Sequence, residues 1–225
     1  MTTPTSIDPK DIQTYFAKYQ GDKYVEGWAS LWDSDNLPWD RGFPNPALED
    51  TLVQRTGTIG GPIVQDGQRR KALVPGCGRG VDVLLLASFG YDAYGLEYSA
   101  TAVDACKKEE KEEKENHSWY RVRDEKVGGG KVIFVQGDFF DDAWLKEIGV
   151  PQNGFDVIYD YTVCILTAAV GLHSVIAIFF SPLILCVLQG GPARCFTLCL
   201  WTLDVPFPTH PRSFWSFWSF LLITI

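Results

Sequence analysis

The stretch 71–80, KALVPGCGRG, constrains the fold of this chain more than any other. Its first five residues form a short apolar run bounded by turn residues, which is typical of a buried strand. Gly76, Gly78 and Gly80 follow at alternate positions, where the backbone can turn tightly and approach a ligand closely. Residues 81–89 then predict a helix whose first turn carries unpaired N–H groups. A strand, a glycine turn and a helix start together predict a nucleotide-binding element.

Three further apolar runs predict strands, and each one ends at or near an acidic residue. The runs are 92–97, 131–136 and 155–160, and the acids are Glu97, Asp138 and Asp160. Because helical segments separate the runs, the pattern predicts an α/β fold with a doubly wound parallel sheet. Glu97 lies 19 residues after Gly78, close to the ~20 at which a carboxylate meets ribose hydroxyls in such folds.

Asp138 is followed directly by an aromatic residue, Phe139. This pair suits adenine, since the carboxylate can accept a hydrogen bond from the exocyclic amine while the ring stacks. The alternative is that Asp138 caps a helix that we predict over residues 141–148.

Three tryptophans, Trp28, Trp32 and Trp39, lie within twelve residues of one another. Trp28 and Trp32 are four residues apart and therefore share one face of a helix. Composition alone favours an aromatic cluster that covers an edge of the core. The alternative is a lid that packs aromatic surface against a flat or cationic ligand.

Composition excludes several functional classes. The net charge of −8 argues against nucleic acid or an anionic membrane as the partner, since both attract Lys and Arg. Six cysteines without a CxxC pair indicate neither a zinc site nor a disulfide scaffold, so no metal is expected. Residues 1–10 lack the apolar core of a secretory signal, so we expect a reduced, cytoplasmic protein.

Three remaining segments outside the predicted strands have plain structural interpretations. We expect residues 56–68 to form a glycine-rich loop, residues 107–115 to form the solvated face of a helix, and residues 117–130 to form a surface insertion.

The glycine spacing distinguishes between nucleotides. A dinucleotide fingerprint reads G-x-G-x-x-G, whereas the third glycine here comes one place early. The shorter turn has no pyrophosphate to hold and lets an amino-acid moiety and a ribose lie against the backbone. Together with Glu97 and Asp138, this spacing resembles the S-adenosylmethionine-dependent methyltransferases. An NAD-dependent oxidoreductase is disfavoured by the same spacing and by the lack of a catalytic Tyr-x3-Lys or His pair after the glycine turn.

A closer resemblance rests on five motifs. They are Trp28-x3-Trp32-x6-Trp39, Pro38-Trp-Asp-Arg-Gly42, Ala72-Leu-Val-Pro-Gly-Cys-Gly78, Gly95-Leu-Glu-Tyr-Ser99 and Phe155-Asp-Val-Ile-Tyr-Asp-Tyr161. Over residues 20–162 the chain resembles the thiopurine S-methyltransferase family, and within it the thiol and halide methyltransferase branch. The resemblance implies a Rossmann-like class I methyltransferase fold, S-adenosylmethionine as cofactor, a small thiol or halide as substrate, and a monomer.

The resemblance also implies roles for individual residues and reverses the composition-based interpretation of the tryptophans. The cofactor-binding residues would be Trp28, Trp32, Trp39, Gly76, Gly78, Glu97, Asp138 and Phe139. Asp160 and Tyr161 would line the methyl-transfer end as the catalytic residues. Because a soft anionic nucleophile needs alignment and exclusion of water more than a strong base, no Ser-His-Asp set is required. Cys77 could be considered a nucleophile, but small size explains its place in the glycine turn better.

After Thr162 the family pattern disappears. Residues 163–188 contain no Lys, Arg, Asp or Glu over 26 residues and are long enough to span a membrane. The tail 163–225 is a membrane anchor, a strongly diverged folded half, or the product of an unspliced intron. We favour the intron, because Val163-Cys164 can be encoded by GTATGT, a common fungal intron boundary, at the point where the pattern breaks.

These observations predict three regions. They are a helical lid with the tryptophan cluster over 1–70, a Rossmann-like cofactor-binding half over 71–162, and the apolar tail. The parallel sheet is expected to be truncated after its fourth strand, which leaves apolar surface uncovered. We therefore expect the polypeptide to be poorly soluble and weakly active. The alternative function is a membrane-tethered nucleotide-binding module without catalysis, and membrane association would require that residues 163–188 are genuine.

Overall fold

A computed structural model of the chain describes residues 12–19, 23–112, 116 and 118–160, together with three short strands of the tail. The helices are α1 (Ile12–Phe16), α2 (Tyr24–Asp33), α3 (Pro46–Gln54), α4 (Thr56–Ile59), α5 (Val81–Ser88), α6 (Ala100–Glu112) and α7 (Ala143–Glu147). The strands are β1 (Lys71–Pro75), β2 (Asp92–Glu97), β3 (Val132–Gln136), β4 (Val157–Asp160), β5 (Ile184–Val187), β6 (Phe196–Cys199) and β7 (Leu221–Thr224).

These strands form one sheet in the order β3-β2-β1-β4-β5-β6-β7. The first four strands run parallel, in register pairs such as Pro75 with Leu96 and Glu97 with Gln136. Because parallel strands end at the same edge, the glycine turn after β1 and Glu97 at the end of β2 are brought to neighbouring positions. The predicted doubly wound parallel sheet is confirmed.

The strand β1 sends alternate side chains to opposite faces of the sheet, and each face has its own apolar core. Ala72 and Val74 pack on the face covered by α3 and α5, in a cluster with buried Leu48 and Leu85. Leu73 packs on the other face, in a cluster that includes Trp144 of α7. Burying each of the larger side chains contributes about 1.5–3 kcal/mol. Cores on both faces explain why the parallel strands read as nearly continuous apolar runs.

The strand β4 is the last parallel strand, but the predicted truncation of the sheet after it is wrong. Three antiparallel strands, β5–β7, extend the sheet, and the sequence analysis did not include them. Asp160 at the end of β4 is paired with Ile184 at the start of β5. The physical reason is that a short uncharged apolar run suits a buried strand as well as a membrane helix.

Among the described residues, none of the helices combines the length and the apolar character needed to cross a membrane. The predicted span at 163–188 lies outside the described residues except for β5, which is a strand.

Two segments differ in detail from the sequence-based expectations. The loop predicted over 56–68 begins with the short helix α4, and its Ile63 forms an isolated bridge with Arg69, just after the loop. In the charged face of α6, Glu109 is buried and accepts a hydrogen bond from the Tyr120 hydroxyl at 3.2 Å. One carboxylate of that face is therefore used in packing, because the 3₁₀ helix Ser118–Tyr120 of the predicted insertion lies against it.

Candidate functional site

The glycine turn follows β1, and all three of its glycines have a positive φ: 58° at Gly76, 56° at Gly78 and 82° at Gly80. A Cβ on Gly80 would lie 2.6 Å from Cε1 of Phe134, so no side chain fits there without displacing that ring. A Cβ on Gly78 would meet only Cζ2 of Trp32, at 3.6 Å. Gly80 is therefore required by packing, whereas Gly78 leaves space against the backbone that a ligand could use.

Glu97 connects the end of β2 to this turn. Its Oε2 accepts a hydrogen bond from the Gly78 N–H at 3.0 Å, and its Oε1 accepts one from the Tyr98 N–H at 2.8 Å. The Ser99 N–H contacts Oε1 at 3.4 Å. Although Glu97 is only 8% exposed, its Oε2 accepts a single hydrogen bond and has a second lone pair that can accept another.

Burial raises the pKa of Glu97, and the hydrogen bonds from the backbone of Gly78, Ser99 and Tyr98 act in the opposite direction. The net result is a pKa above the ordinary value for glutamate. The carboxylate is thus held in place by N–H donors in a site with little solvent.

The helix α2 carries two of the three tryptophans towards the glycine turn. Trp32 is buried and lies beside Gly78, as its distance from a Cβ at that position shows. Trp28 packs edge-to-face against Trp39, with ring centroids 5.0 Å apart, and also contacts Phe16 at 4.5 Å. The structure therefore joins the predicted aromatic cluster to the predicted ligand site through Trp32. Contact between the three rings and a cofactor remains a prediction.

Polar contacts also fasten the N-terminal segment to the glycine turn and its neighbours. Arg79 donates from Nε to Oδ2 of Asp40 at 2.8 Å. The Asn45 N–H donates to Oδ1 of Asp82 at 2.7 Å. Sequence reasoning missed these contacts, although Asp40 lies within the motif 38–42 that contributed to the family resemblance.

Asp138 follows β3 at the same sheet edge and is half-buried. Its Oδ1 accepts a hydrogen bond from the Phe140 N–H at 2.9 Å, which closes a local turn. The alternative role as a helix cap is wrong: α7 begins at Ala143, whose N–H is bonded by Oδ1 of Asp141 at 3.0 Å. The helix begins two residues later than predicted because this turn comes first.

Phe139 packs against the core cluster that contains Trp144, whereas its neighbour Phe140 is 66% exposed. The two rings meet edge-to-face with centroids 5.4 Å apart. The Phe139 ring, which is predicted to contact adenine, is therefore already packed against the core on one side.

Of the two predicted catalytic residues, Asp160 is the last residue of β4. Asp160 is 2% exposed and reaches the same carboxyl edge as Glu97. Tyr161 lies outside the described residues.

Cys77 is placed for packing rather than for nucleophilic chemistry. Its Sγ lies 3.8 Å from Sγ of Cys106, whose thiol donates to the Gly78 carbonyl at 2.9 Å. The hydrogen bond with Cys106, followed by burial, raises the pKa of Cys77 well above its usual range. A thiol that stays protonated is a poor nucleophile, which agrees with the interpretation based on small size.

Comparison with known proteins decides the family. The family model for thiopurine S-methyltransferase matches residues 24–169, which is more than half of the chain. The chain belongs to the thiopurine S-methyltransferase family. The family resemblance inferred from the five motifs is thereby confirmed, and methyltransferases of this kind use S-adenosylmethionine in general.

The relatives that match are plant methyltransferases. The chain is 31% identical to "Probable thiol methyltransferase 2" of Arabidopsis thaliana over 65% of its own length and 52% of that protein. It is 29% identical to "Thiocyanate methyltransferase 1" of Brassica oleracea over 70% of its own length and 55% of that protein. The chain thus spans about half the length of these relatives. The matches favour an enzyme over the alternative of a non-catalytic nucleotide-binding module.

Among solved structures, one described as "Conversion of a Disulfide Bond into a Thioacetal Group during Echinomycin Biosynthesis" is similar to this member of the thiopurine S-methyltransferase family. It shares 24% identity and a TM-score of 0.43 with the chain, over 63% of this chain and 48% of that one.

Proposed function

We propose that this chain binds S-adenosylmethionine at the carboxyl edge of β1 and β2 and transfers its methyl group to a small thiol or halide. The observation that carries the proposal is the contact between the Glu97 carboxylate and the Gly78 N–H at 3.0 Å. It joins an acidic strand end to an open glycine turn, in a chain whose family consists of methyltransferases.

The residues present fit this cofactor in two respects. The open space at Gly78 would be filled by a Cβ, so only glycine leaves the backbone accessible to the methionine part. The Oε2 of Glu97 retains a lone pair in a nearly buried position, where a hydrogen bond from a ribose hydroxyl would be strong.

S-adenosylmethionine supplies, when bound, a methyl group activated by the adjacent sulfonium. The chain's own residues have to bind and orient the cofactor and the acceptor, and they have to exclude water. We assign the ribose to Glu97, the adenine to Asp138 and Phe139, and the methionine part to Gly76 and Gly78. A sulfonium is attracted by the faces of aromatic rings, which suits the cluster formed by Trp28, Trp32 and Trp39.

The acceptor is assigned by its chemistry. A thiolate or halide is already a soft nucleophile, so methyl transfer needs in-line alignment but no strong general base. We assign the transfer end to Asp160 and Tyr161. Thiol and thiocyanate acceptors are those named for the plant relatives, which supports this class of substrate. We further propose that residues 1–70 act as the lid, that residues 71–162 form the cofactor-binding half, and that the protein is monomeric.

Calorimetric titration of the full chain with S-adenosylmethionine tests the first step. We expect saturable binding that Glu97→Gln weakens by about tenfold or more, because a charge-assisted acceptor is lost. Glu112→Gln, on the exposed face of α6, is the matched control and should bind as the wild type does. Binding of NAD in preference to S-adenosylmethionine would overturn the proposal.

Transfer of a labelled methyl group to hydrosulfide or iodide tests the second step. Labelled methanethiol or methyl iodide is the expected product. Saturable cofactor binding with no transfer to any small thiol or halide would support the proposed binding site and contradict the proposed activity.

A further inference from the structure

The ion pair between Arg79 and Asp40 connects the glycine turn to the N-terminal segment. Arg79 lies between Gly78 and Gly80, and both its Nε, at 2.8 Å, and a terminal nitrogen, at 2.5 Å, contact Oδ2 of Asp40. The other oxygen of Asp40, Oδ1, accepts a hydrogen bond from the Gly42 N–H at 3.0 Å. One carboxylate thus fixes its own loop with one oxygen and holds the glycine turn with the other.

The pair is shielded from water on the aspartate side. The Asp40 side chain is 13% exposed and that of Arg79 is 31% exposed. The hydrogen bond with Asp40 raises the pKa of Arg79, which favours the charged guanidinium. A charge-assisted contact in such a place is stronger than a fully exposed ion pair.

Asp40 is adjacent in the chain to the tryptophan cluster, so its ion pair with Arg79 also affects the position of that cluster. Asp40 directly follows Trp39, whose ring packs on Trp28 with centroids 5.0 Å apart. Arg79 is in turn bonded to Gly78, whose N–H is held by Glu97. The ion pair therefore links Trp28 and Trp39 to the glycine turn, whose backbone is proposed to face the cofactor.

We infer that Asp40 and Arg79 are positioning residues, whose ion pair holds the segment around Trp39 against the glycine turn and thereby sets the affinity for S-adenosylmethionine. This inference rests on the proposed function. Neither side chain is assigned a contact with the reacting atoms. Their loss should therefore affect cofactor binding more than the rate of methyl transfer.

The chain contains a matched control pair. Arg123 and Glu49 form an ion pair at 2.6 Å, with side chains 32% and 29% exposed, between α3 and the segment that follows the 3₁₀ helix. Its exposure is comparable, but none of its described contacts involves the glycine turn or the cluster of Trp28, Trp32 and Trp39; Arg123 also donates to the Trp119 carbonyl at 3.2 Å. A general effect of losing one ion pair will appear in Glu49→Gln, whereas a positioning effect will appear only in Asp40→Asn.

The first experiment measures S-adenosylmethionine binding and methyl transfer to hydrosulfide by the full chain. We expect Asp40→Asn and Arg79→Met to raise the dissociation constant about tenfold. We expect the kcat at saturating S-adenosylmethionine to change by less than about threefold, because an interaction outside the reacting centre is lost. Arg79→Lys, which keeps the charge, should recover part of the affinity. Equal affinities for wild type, Asp40→Asn and Glu49→Gln would overturn the inference.

The second experiment needs no ligand. Hydrogen–deuterium exchange of the backbone amides in residues 37–46 should become about tenfold faster in Asp40→Asn and stay unchanged in Glu49→Gln. Unchanged exchange in both variants would overturn the inference even if cofactor affinity fell. If the wild type binds no S-adenosylmethionine, the proposed function fails together with the affinity part of this inference. Exchange would then still decide whether the pair holds the segment.

Discussion

Asp82 in the first turn of α5 accepts a hydrogen bond from the Asn45 N–H at 2.7 Å, across 37 positions of sequence. Asn45 is itself the N-cap of α3, where its Oδ1 accepts a hydrogen bond from the Ala47 N–H at 3.0 Å. Burial raises the pKa of Asp82 to about 6, although the bond from Asn45 opposes this shift. The starts of two helices are therefore joined through a carboxyl group that titrates near neutral pH.

This raised pKa predicts a pH-dependent stability. Between about pH 4 and pH 6 the folded protein keeps a proton on Asp82 that the unfolded chain, with an ordinary aspartate pKa of about 3.9, has released. The contribution of Asp82 to the free energy of unfolding is therefore fully present below about pH 4 and is lost as the pH rises through about 6. Urea denaturation of wild type and Asp82→Asn at pH 4.5 and pH 7.5 should show that the wild type loses more stability than the variant.

Asp66→Asn is the matched control for that measurement. Asp66 also accepts a hydrogen bond from a backbone N–H, that of Gln68 at 3.0 Å, but it is exposed. Its variant should follow the wild type at both pH values. A constant difference between wild type and Asp82→Asn across this range would contradict the prediction.

The glycine turn predicts an order of destabilisation. Gly80→Ala should lower the free energy of unfolding by about 2–5 kcal/mol, because backbone strain adds to the collision with Phe134. Gly67→Ala should cost only about 1–2 kcal/mol, because φ is also positive at Gly67 but no atom lies within 4 Å of the added Cβ. Gly78→Ala should resemble Gly67→Ala in stability while weakening S-adenosylmethionine binding.

Urea denaturation of the three variants separates the cost of backbone strain from the cost of the collision with Phe134. Calorimetric titration of Gly78→Ala measures its affinity for S-adenosylmethionine. Equal losses for Gly80→Ala and Gly67→Ala would show that Phe134 moves aside at no cost.

The two neighbouring thiols predict slow alkylation of Cys77. Its hydrogen bond with Cys106, together with burial, raises its pKa, so the reactive thiolate is rare at pH 8. Mass-spectrometric peptide mapping after iodoacetamide treatment should show Cys77 reacting much more slowly in the folded protein than in urea. Cys106→Ala should accelerate the reaction, because the largest cause of the raised pKa is removed. Alkylation of Cys77 in the folded protein at pH 8 at the rate seen in urea would disprove this assignment.

The hydrogen bonds of Arg69 predict that replacing this residue destabilises the segment after the 3₁₀ helix. Its guanidinium donates to the Gly90 carbonyl at 2.7 Å and to the Val127 carbonyl at 2.5 Å. Arg69→Met should lower the free energy of unfolding by about 1.5–3 kcal/mol, since charge-assisted bonds to carbonyls are lost. It should also speed amide exchange over residues 124–130. Arg121→Met, on an exposed residue of the same segment, should do neither.

The first half of the fold was predictable because its signals are local. The strands 71–75 and 92–97 have the predicted bounds, since each apolar run is closed by turn residues that end it. Glu97 and the glycine turn were found from their spacing alone, and the structure brings them into hydrogen-bond contact.

What the sequence analysis missed is non-local. Arg79 and Asp40 are separated by 39 positions, and two charged residues leave no periodic pattern that would show their pairing. The burial of Glu109 depends on Tyr120, which a later segment brings against α6. The strands β5–β7 were not predicted because their apolar composition fits more than one environment.

The contacts that fasten the N-terminal segment also set an order of events during synthesis. Asp33, Asp40 and Asn45 are translated 68, 39 and 37 positions before their partners Thr101, Arg79 and Asp82. A chain that emerges from the ribosome N-terminus first therefore has Trp32 without its neighbour Gly78 until the glycine turn has followed. The segment proposed as the lid of the cofactor site is made before the elements that it docks against, so the nascent chain passes through a stage at which aromatic surface is available to chaperones.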